Sequence, residues 1–518
     1  MHAPALGGHC RTSHPPSREE AVSGHAGGRE RTRSVRGLSI AIGALMAIAG
    51  GCGGDSDEAA PAVIVPPAPI TFVSAGGDSV EAERGEIWVP ENREDPDSRS
   101  ISLAYFRFPS TADSPGSPIV YLAGGPGGSG IATARGRRFP LFMALREIAD
   151  VIAFDQRGTG DSNRIPPCET DVRPSLDAPA DADRLVAGFR RAAERCLAFW
   201  AEGGVDIAGY DTAESARDLE ALRRALGTDR LSLWGISYGT HLAMAAIKEM
   251  GPRVDRVILA SAEGLDQTVK LPARTDAYFE RLQAAIDTDP EAAARFPDVA
   301  GMIRRVLDRL RAEPVTVAVR PESGGDPVSF VMGADEVQLY TGYSINDPAN
   351  AAGVLRAYRA ADEGDFSVIG RFVYAILRDS PVTMRGMPEA MDFASGMSAE
   401  RRAAWEREAP VSLLGGFLNF PMPHAEGAFG DLDLGPEFRQ GPETSVPTLL
   451  LTGTLDGRTY PESHLEATAG FSNLTHVVIE NAGHNLFMVS PEVTDAILAF
   501  MRGEPVPATR LRIDLPEF

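Results

Sequence analysis

The sequence predicts an α/β fold: a mostly parallel sheet flanked by helices, with a large, mainly helical cap inserted before the last two core strands. Three observations predict it. From about residue 76, short β-rich runs alternate with helical patterns, the signature of parallel strands joined by crossover helices. Between Leu265 and about Glu443 the strand-like runs nearly vanish and helical spacing takes over. Two further β-rich runs follow, so the helical block reads as an insertion into one sheet.

In chain order, residues 1–51 read as a leader. Arg29, Arg31, Arg33 and Arg36 precede the apolar run Leu38–Ala49. A basic flank before about a dozen apolar residues is the anatomy of a secretory signal, and it is too short for a stable membrane-spanning helix. Two processing outcomes are compatible with it. Ala47-Ile48-Ala49 fits an Ala-x-Ala cleavage site, which releases a soluble protein. Ala49-Gly50-Gly51-Cys52 resembles a bacterial lipobox, in which Cys52 is lipidated, with Ala49 standing where Leu is usual. Residues 52–75, polar and then rich in Pro and Ala, read as a flexible tether. A tether belongs with an acyl anchor, so attachment to the cell envelope through lipidated Cys52 is the expectation and soluble secretion the alternative.

Charge and cysteines bound the partners. The chain carries 50 basic and 72 acidic residues, a net charge of −22. Without residues 1–51, which hold six arginines and three glutamates, 44 basic and 69 acidic residues remain and the charge is −25. Nucleic acid is thereby excluded as the main partner, because phosphate binding needs clustered Lys and Arg. Beyond the leader and Cys52, only Cys168 and Cys196 remain. An even pair in an oxidising compartment is expected to form a disulfide. Neither has a histidine at ligand spacing, so no metal is implied, and no organic cofactor either.

The core is expected over 76–265 and 445–518, with the cap over 266–444. Predicted strands are Ile101–Phe108, Ile119–Leu122, Val151–Phe154, Leu231–Trp234, Val257–Ala260, Thr448–Leu451 and His476–Ile479. The helix over 213–226 follows from Ala216, Leu219, Leu222 and Leu226 at helical spacing, with Gly227 as its stop. Cap helices are predicted around 276–288, 299–311, 350–362 and 398–408.

Four segments carry chemistry. Gly235-Ile-Ser237-Tyr-Gly239 lies directly after a strand and directly before a helix. A nucleophilic serine needs that sharp turn, and its flanking glycines let strand and helix approach closely. With 53 glycines in 518 residues, about 0.3 matches are expected by chance, so the strand and helix around it supply most of the meaning. Gly124-Gly-Pro-Gly-Gly-Ser-Gly130 follows another strand and lacks the Lys-Ser/Thr of a phosphate-binding loop. It suits an oxyanion hole, with the N–H of Gly125 and that of Tyr238 as donors, Pro126 having none. Asp155-Gln-Arg157-Gly-Thr-Gly160 reads as a rigid turn in which Arg157 pairs with a carboxylate. Finally, Asp456 follows the first strand after the insert and His484 the second. Ser237, Asp456 and His484 then stand in the chain order of an α/β-hydrolase triad. His241 is directed away from the serine by its helix, and His476 begins a strand.

These segments resemble the α/β-hydrolase family of prolyl and tricorn-interacting aminopeptidases, and within it the secreted bacterial branch with a tripeptidyl-aminopeptidase-like C-terminal part. The resemblance rests on 124–130, 155–160, 235–240, Asp456 and His484, and the helix Thr212–Gly227, and it extends over roughly 84–265 and 445–503. It implies the α/β-hydrolase fold and an exported serine hydrolase that releases residues or short peptides from peptide N-termini. Ala123 stands where prolyl aminopeptidases carry His, which points away from strict prolyl specificity. A carboxylesterase acting on small acyl esters is the alternative, since one triad serves both reactions, and an inactive substrate-binding protein is the remote one. Family members grip the free α-amine with cap carboxylates; Glu263, Glu322 and Glu426 are examples to locate here.

Overall fold

The computed structural model describes residues 63–321 and 324–518. The predicted leader, Cys52, the start of the tether and Glu322 lie outside the described residues. A ten-stranded sheet organises the chain, built from β1 (Val63–Val73), β2 (Ser79–Pro90), β3 (Ser100–Phe108), β4 (Ile119–Leu122), β5 (Val151–Phe154), β6 (Leu231–Ile236), β7 (Val254–Ala260), β8 (Thr448–Gly453), β9 (Leu474–Glu480) and β10 (Arg510–Arg512). Its order is β1-β2-β3-β5-β4-β6-β7-β8-β9-β10. From β5 onward every neighbour is parallel, whereas β1, β2 and β3 join the edge antiparallel.

Helices cover both faces, which is why the central strands read as unbroken apolar runs. Every residue of β4, β5, β6 and β8 is buried. Alternate side chains feed two cores. Val120 and Leu122 pack with the helices Ala182–Glu202, Thr212–Ala225 and Tyr238–Met250. Ile119 and Tyr121 pack with Phe139–Leu145 and Pro491–Arg502 on the other face. The helix before β6 starts one residue earlier than predicted because Asp211 caps it, its side chain accepting from Glu214 N–H at 2.7 Å.

One expectation needs correction. Residues 63–73 are not tether but strand, in register with β2 from Val63↔Trp88 to Val73↔Ser79. Pro66 and Pro67 fall where the register shifts, between Val65 and Ala68, on an edge strand that tolerates a missing N–H. Phe72 anchors the strand against Phe106 and Phe108. The insert is mainly helical as expected, with nine α-helices among the described residues, and it also holds the antiparallel pair Val315–Val319 with Val328–Met332. Its inward residues Val317, Val319, Phe330 and Met332 lie in a hydrophobic core that belongs largely to the cap. Beyond the two strands expected after the insert, β10 adds a third.

Candidate active site

Ser237 ends β6 and precedes the helix Tyr238–Met250, with φ 54° and ψ −130°. An L-residue rarely adopts that conformation, so the surroundings must hold it. Ser237 N–H donates to the Ala260 carbonyl at 3.1 Å, and the Ser237 carbonyl accepts from Thr240 N–H at 2.7 Å and Thr240 Oγ1 at 2.6 Å. The glycines of the turn are required by close approach. A Cβ on Gly239 would stand 2.1 Å from the Leu122 carbonyl oxygen, and one on Gly235 2.5 Å from that of Gly239.

The Gly-rich loop lies directly against this turn. A Cβ on Gly124 would meet the Ile236 carbonyl oxygen at 2.8 Å. Gly125 has φ 128°, open only to glycine, and lines the same pocket as Ser237. Tyr238 is the first residue of its helix, so no carbonyl one turn earlier takes its N–H. Asp155 ties the loop to the following turn, accepting from Ser129 Oγ at 2.7 Å, Ile131 N–H at 3.0 Å and Asp161 N–H at 2.8 Å. Arg157, wholly buried, donates to both oxygens of Asp218 at 2.7 Å, the pairing expected of it.

Asp456 follows β8, is fully buried and accepts from Arg458 N–H at 2.8 Å and Thr459 N–H at 3.0 Å. His484 follows β9 and places Nδ1 3.0 Å from Asp456 Oδ2. Burial opposes a charge on Asp456, but His484 and His464 outweigh it and hold the carboxyl well below the usual carboxylate range. With Nδ1 engaged, Nε2 is the nitrogen left to face a substrate. Ser237, His484, Gly124 and Gly125 line one pocket of about 340 Å³. The Arg458 guanidinium, 5.4 Å above the ring of Tyr343, lines it as well, and Tyr343 comes from the cap helix Ala334–Ser344.

The other residues singled out from the sequence go elsewhere. His241 is buried between the Gly264 carbonyl and Ser395, at 3.1 and 3.2 Å, and burial lowers its pKa. His476 lies within β9 and meets Thr452 Oγ1 at 3.0 Å. Cys168 and Cys196 form a disulfide that pins the helix Ala182–Glu202 to the short strand Cys168–Glu169. Glu426 is exposed and paired with Arg402, and Glu263 is buried with Lys270 Nζ at 3.0 Å. Asp347 accepts from Asn485, which lines the pocket, at 3.0 and 2.6 Å, and a further acid that no motif marked lies on a cap helix. Asp392 lies on the helix Met387–Ser395, whose Pro388 abuts Gly127 and whose Met391 Sδ accepts from Tyr238 Oη at 2.7 Å. Burial pushes its carboxyl up to about 7, opposed by Lys270 and Arg458 and reinforced by Glu263 and Glu389. Thr459 was missed too; its hydroxyl donates to Asp456 Oδ2 at 2.9 Å. A polar residue three positions after an Asp in a tight loop was the available signal.

A parallel sheet carrying a serine on a strained strand–helix turn, with an Asp and a His in later strand-end loops, defines the α/β-hydrolase class. The family profile described as "alpha/beta hydrolase fold" matches residues 117–491, and the chain belongs to that family. It is similar to the serine protease Hip1 of Mycobacterium tuberculosis, 35% identical over 184 residues, 34% of this chain and 35% of that protein. It is 29% identical over 303 residues to the tripeptidyl aminopeptidase of Streptomyces lividans, covering 55% of this chain and 50% of that one. A carboxylesterase B of M. tuberculosis is 25% identical over 316 residues, covering 58% and 59%. The chain thus spans about a third to somewhat over half the length of these relatives.

Proposed function

We propose that the chain is an exported serine hydrolase, and specifically an aminopeptidase that releases residues or short peptides from peptide N-termini. The observation that carries the hydrolase reading is the Asp456–His484 pair, 3.0 Å apart, opening on the pocket that Ser237 shares. Ser237 Oγ attacks the substrate carbonyl while His484 Nε2 takes its proton. Asp456 holds the ring and stabilises the imidazolium. The N–H groups of Gly125 and Tyr238 receive the oxyanion, a contribution of roughly 3 kcal/mol per donor. As the tetrahedral adduct collapses, His484 returns the proton to the leaving nitrogen and the C–N bond breaks. Water then repeats the sequence on the acyl-enzyme, releasing the acid and restoring Ser237.

The peptidase reading is supported by the names of two relatives. The pocket lining carries Arg138 and Arg458, so the carboxyl assigned to a substrate ammonium is Asp392, on the cap helix that packs on Gly127 and Tyr238. Carboxylesterase chemistry is the second reading, favoured by the relative that bears that name. Aminoacyl-anilides with free and with blocked N-termini, assayed beside short acyl esters, separate the two. Turnover of free-amine anilides is expected, and cleavage of esters alone sinks the peptidase. Ser237→Ala is expected to lose both turnover and labelling by a fluorophosphonate; retained labelling removes the serine from its role.

Export and envelope attachment rest on the basic and apolar leader, on Ala49-Gly50-Gly51-Cys52 and on the Cys168–Cys196 bond, which suits an oxidising compartment. Palmitate fed to a bacterial host expressing the full chain is expected in the wild type and absent from Cys52→Ala. A mature N-terminus immediately after Ala49, without label, would establish soluble secretion instead.

A further inference from the structure

His464 is fully buried and, like His484, approaches Oδ2 of Asp456. Its Nε2 lies 2.9 Å from Thr459 Oγ1 and 3.6 Å from Asp456 Oδ2. Its Nδ1 lies 3.1 Å from Thr452 Oγ1, which lies 3.0 Å from His476 Nε2. Counting protons orients this chain. The Thr459 hydroxyl has one hydrogen and gives it to Asp456 Oδ2, so it accepts from His464 Nε2–H. His464 Nδ1 is then the acceptor, filled by the Thr452 hydroxyl, which in turn accepts from His476 Nε2–H. Every buried donor and acceptor along the line has a partner, in one direction only, ending on the carboxylate that holds His484.

We propose that His464 is a positioning residue: acting through the Thr459 hydroxyl, it fixes the carboxylate of Asp456 in the orientation that receives His484 Nδ1–H. A buried histidine serving only as core would need partners, but not ones that converge on Asp456. Here the Thr459 hydroxyl, itself held by His464, donates to the same Oδ2 that His484 Nδ1 approaches, with Arg458 and Thr459 N–H groups fixing Oδ1. Oriented carboxylates of this kind matter because a small rotation would break the short contact to the imidazole on which proton transfer depends.

The proposal rests on the serine-hydrolase reading above, and its test separates the two. The second-order rate of fluorophosphonate labelling is measured for wild type, Thr459→Val, Thr459→Ser, His464→Leu and the Val/Leu double variant. Thr459→Val and His464→Leu are each expected to slow labelling by roughly tenfold. Because they lie on one line, the double variant is expected to lose no more than the worse single one, and Thr459→Ser to recover most of the rate. Losses that multiply in the double variant, a Ser variant no faster than Val, or lowered melting temperatures with unchanged labelling of the folded protein would each overturn the proposal. A wild type that takes no label overturns the hydrolase reading and this proposal with it. Should His464→Leu fail to fold, His464→Asn, which loses the donor at the Nε2 position, takes its place, alone and combined with Thr459→Val, in the same comparison.

Discussion

His484 Nδ1 lies 3.1 Å from Asp456 Oδ1 and 3.0 Å from Oδ2, although the two residues are 28 positions apart and leave different strands. Parallel pairing of β8 with β9, in register from Thr448↔Leu474 to Gly453↔Ile479, brings the two strand-end loops side by side. Gly453 and Gly483 permit the approach: a Cβ on Gly453 would stand 2.3 Å from the Gly483 carbonyl oxygen.

Asp456→Asn keeps the volume but offers an amide where the buried carboxylate accepts from His484. The ring then turns its Nδ1 lone pair toward the amide N–H, and Nε2 carries the proton that it should take from Ser237. A loss of kcat of roughly 10⁴-fold is expected, with binding of substrate little changed. Steady-state kinetics check this, and a loss confined to KM would speak against Asp456 as the partner of His484.

Gly239→Ala tests the nucleophile turn as backbone geometry. The new methyl would sit 2.1 Å from the Leu122 carbonyl oxygen and 2.8 Å from its carbon, atoms of a fully buried strand that cannot yield locally. A stability loss of about 1–3 kcal/mol is expected from such overpacking. The urea midpoint should fall accordingly. An unchanged midpoint would mean that the helix moves off β4 more easily than the packing implies.

The same contacts explain what could be read from the sequence. Ser237 directly follows a β-rich run and Asp456 and His484 stand within four residues of the ends of two others, so local pattern and chain order suffice to find them. Thr459 and His464 follow Asp456 by three and eight residues, but their convergence on it needs the turn that ends at Tyr460, a non-glycine residue at φ 59°. Asp392 was out of reach, because its helix reaches the core only by packing on Gly127 and Tyr238, far away in sequence. Strand β1 was hidden by its prolines, which are harmless only because they fall at a register shift on an edge. The hairpin 315–332 escaped because its alternating valines are short and stand amid strong helical patterns.

Asp218→Asn tests the buried ion network beneath the Asp155–Gly160 turn. Asp218 accepts from Arg157 and from Arg93, each at 2.7 Å. Burial works against its charge, yet the two guanidinium groups hold the carboxyl below its ordinary range. A depressed carboxyl contributes stability above its unfolded pKa, near 4, and loses it as the pH falls. The Asn variant removes the two-point partner of Arg157 and leaves it Glu214, 3.2 Å away, so a loss at the lower end of that for breaking a buried pair, roughly 3 kcal/mol, is expected at pH 7. The gap to wild type should narrow under acid. Denaturation at pH 7 and pH 3.5 checks both, and an equal gap at the two values would contradict the linkage.

The amine-binding role proposed for Asp392 predicts a pH dependence of KM. Its carboxyl, raised to about 7, is neutral below that value and charged above it. An α-ammonium, with a pKa near 8, is still charged just above pH 7, so the pair is strongest in a narrow window between the two. KM for free-amine anilides is expected to fall as the pH rises from 5.5 toward 7.5, while N-blocked substrates show no such change. Asp392→Asn should flatten that dependence and raise KM for the free amine at pH 7.5. Stability runs the other way. A carboxyl whose folded pKa is raised is least costly below its unfolded value near 4 and loses stability as the pH climbs to 7. The Asn variant should therefore match wild type at acid pH and exceed it at pH 8. If KM keeps its pH profile in Asp392→Asn while the stability difference appears, the carboxylate is buried charge only, and the amine is held elsewhere.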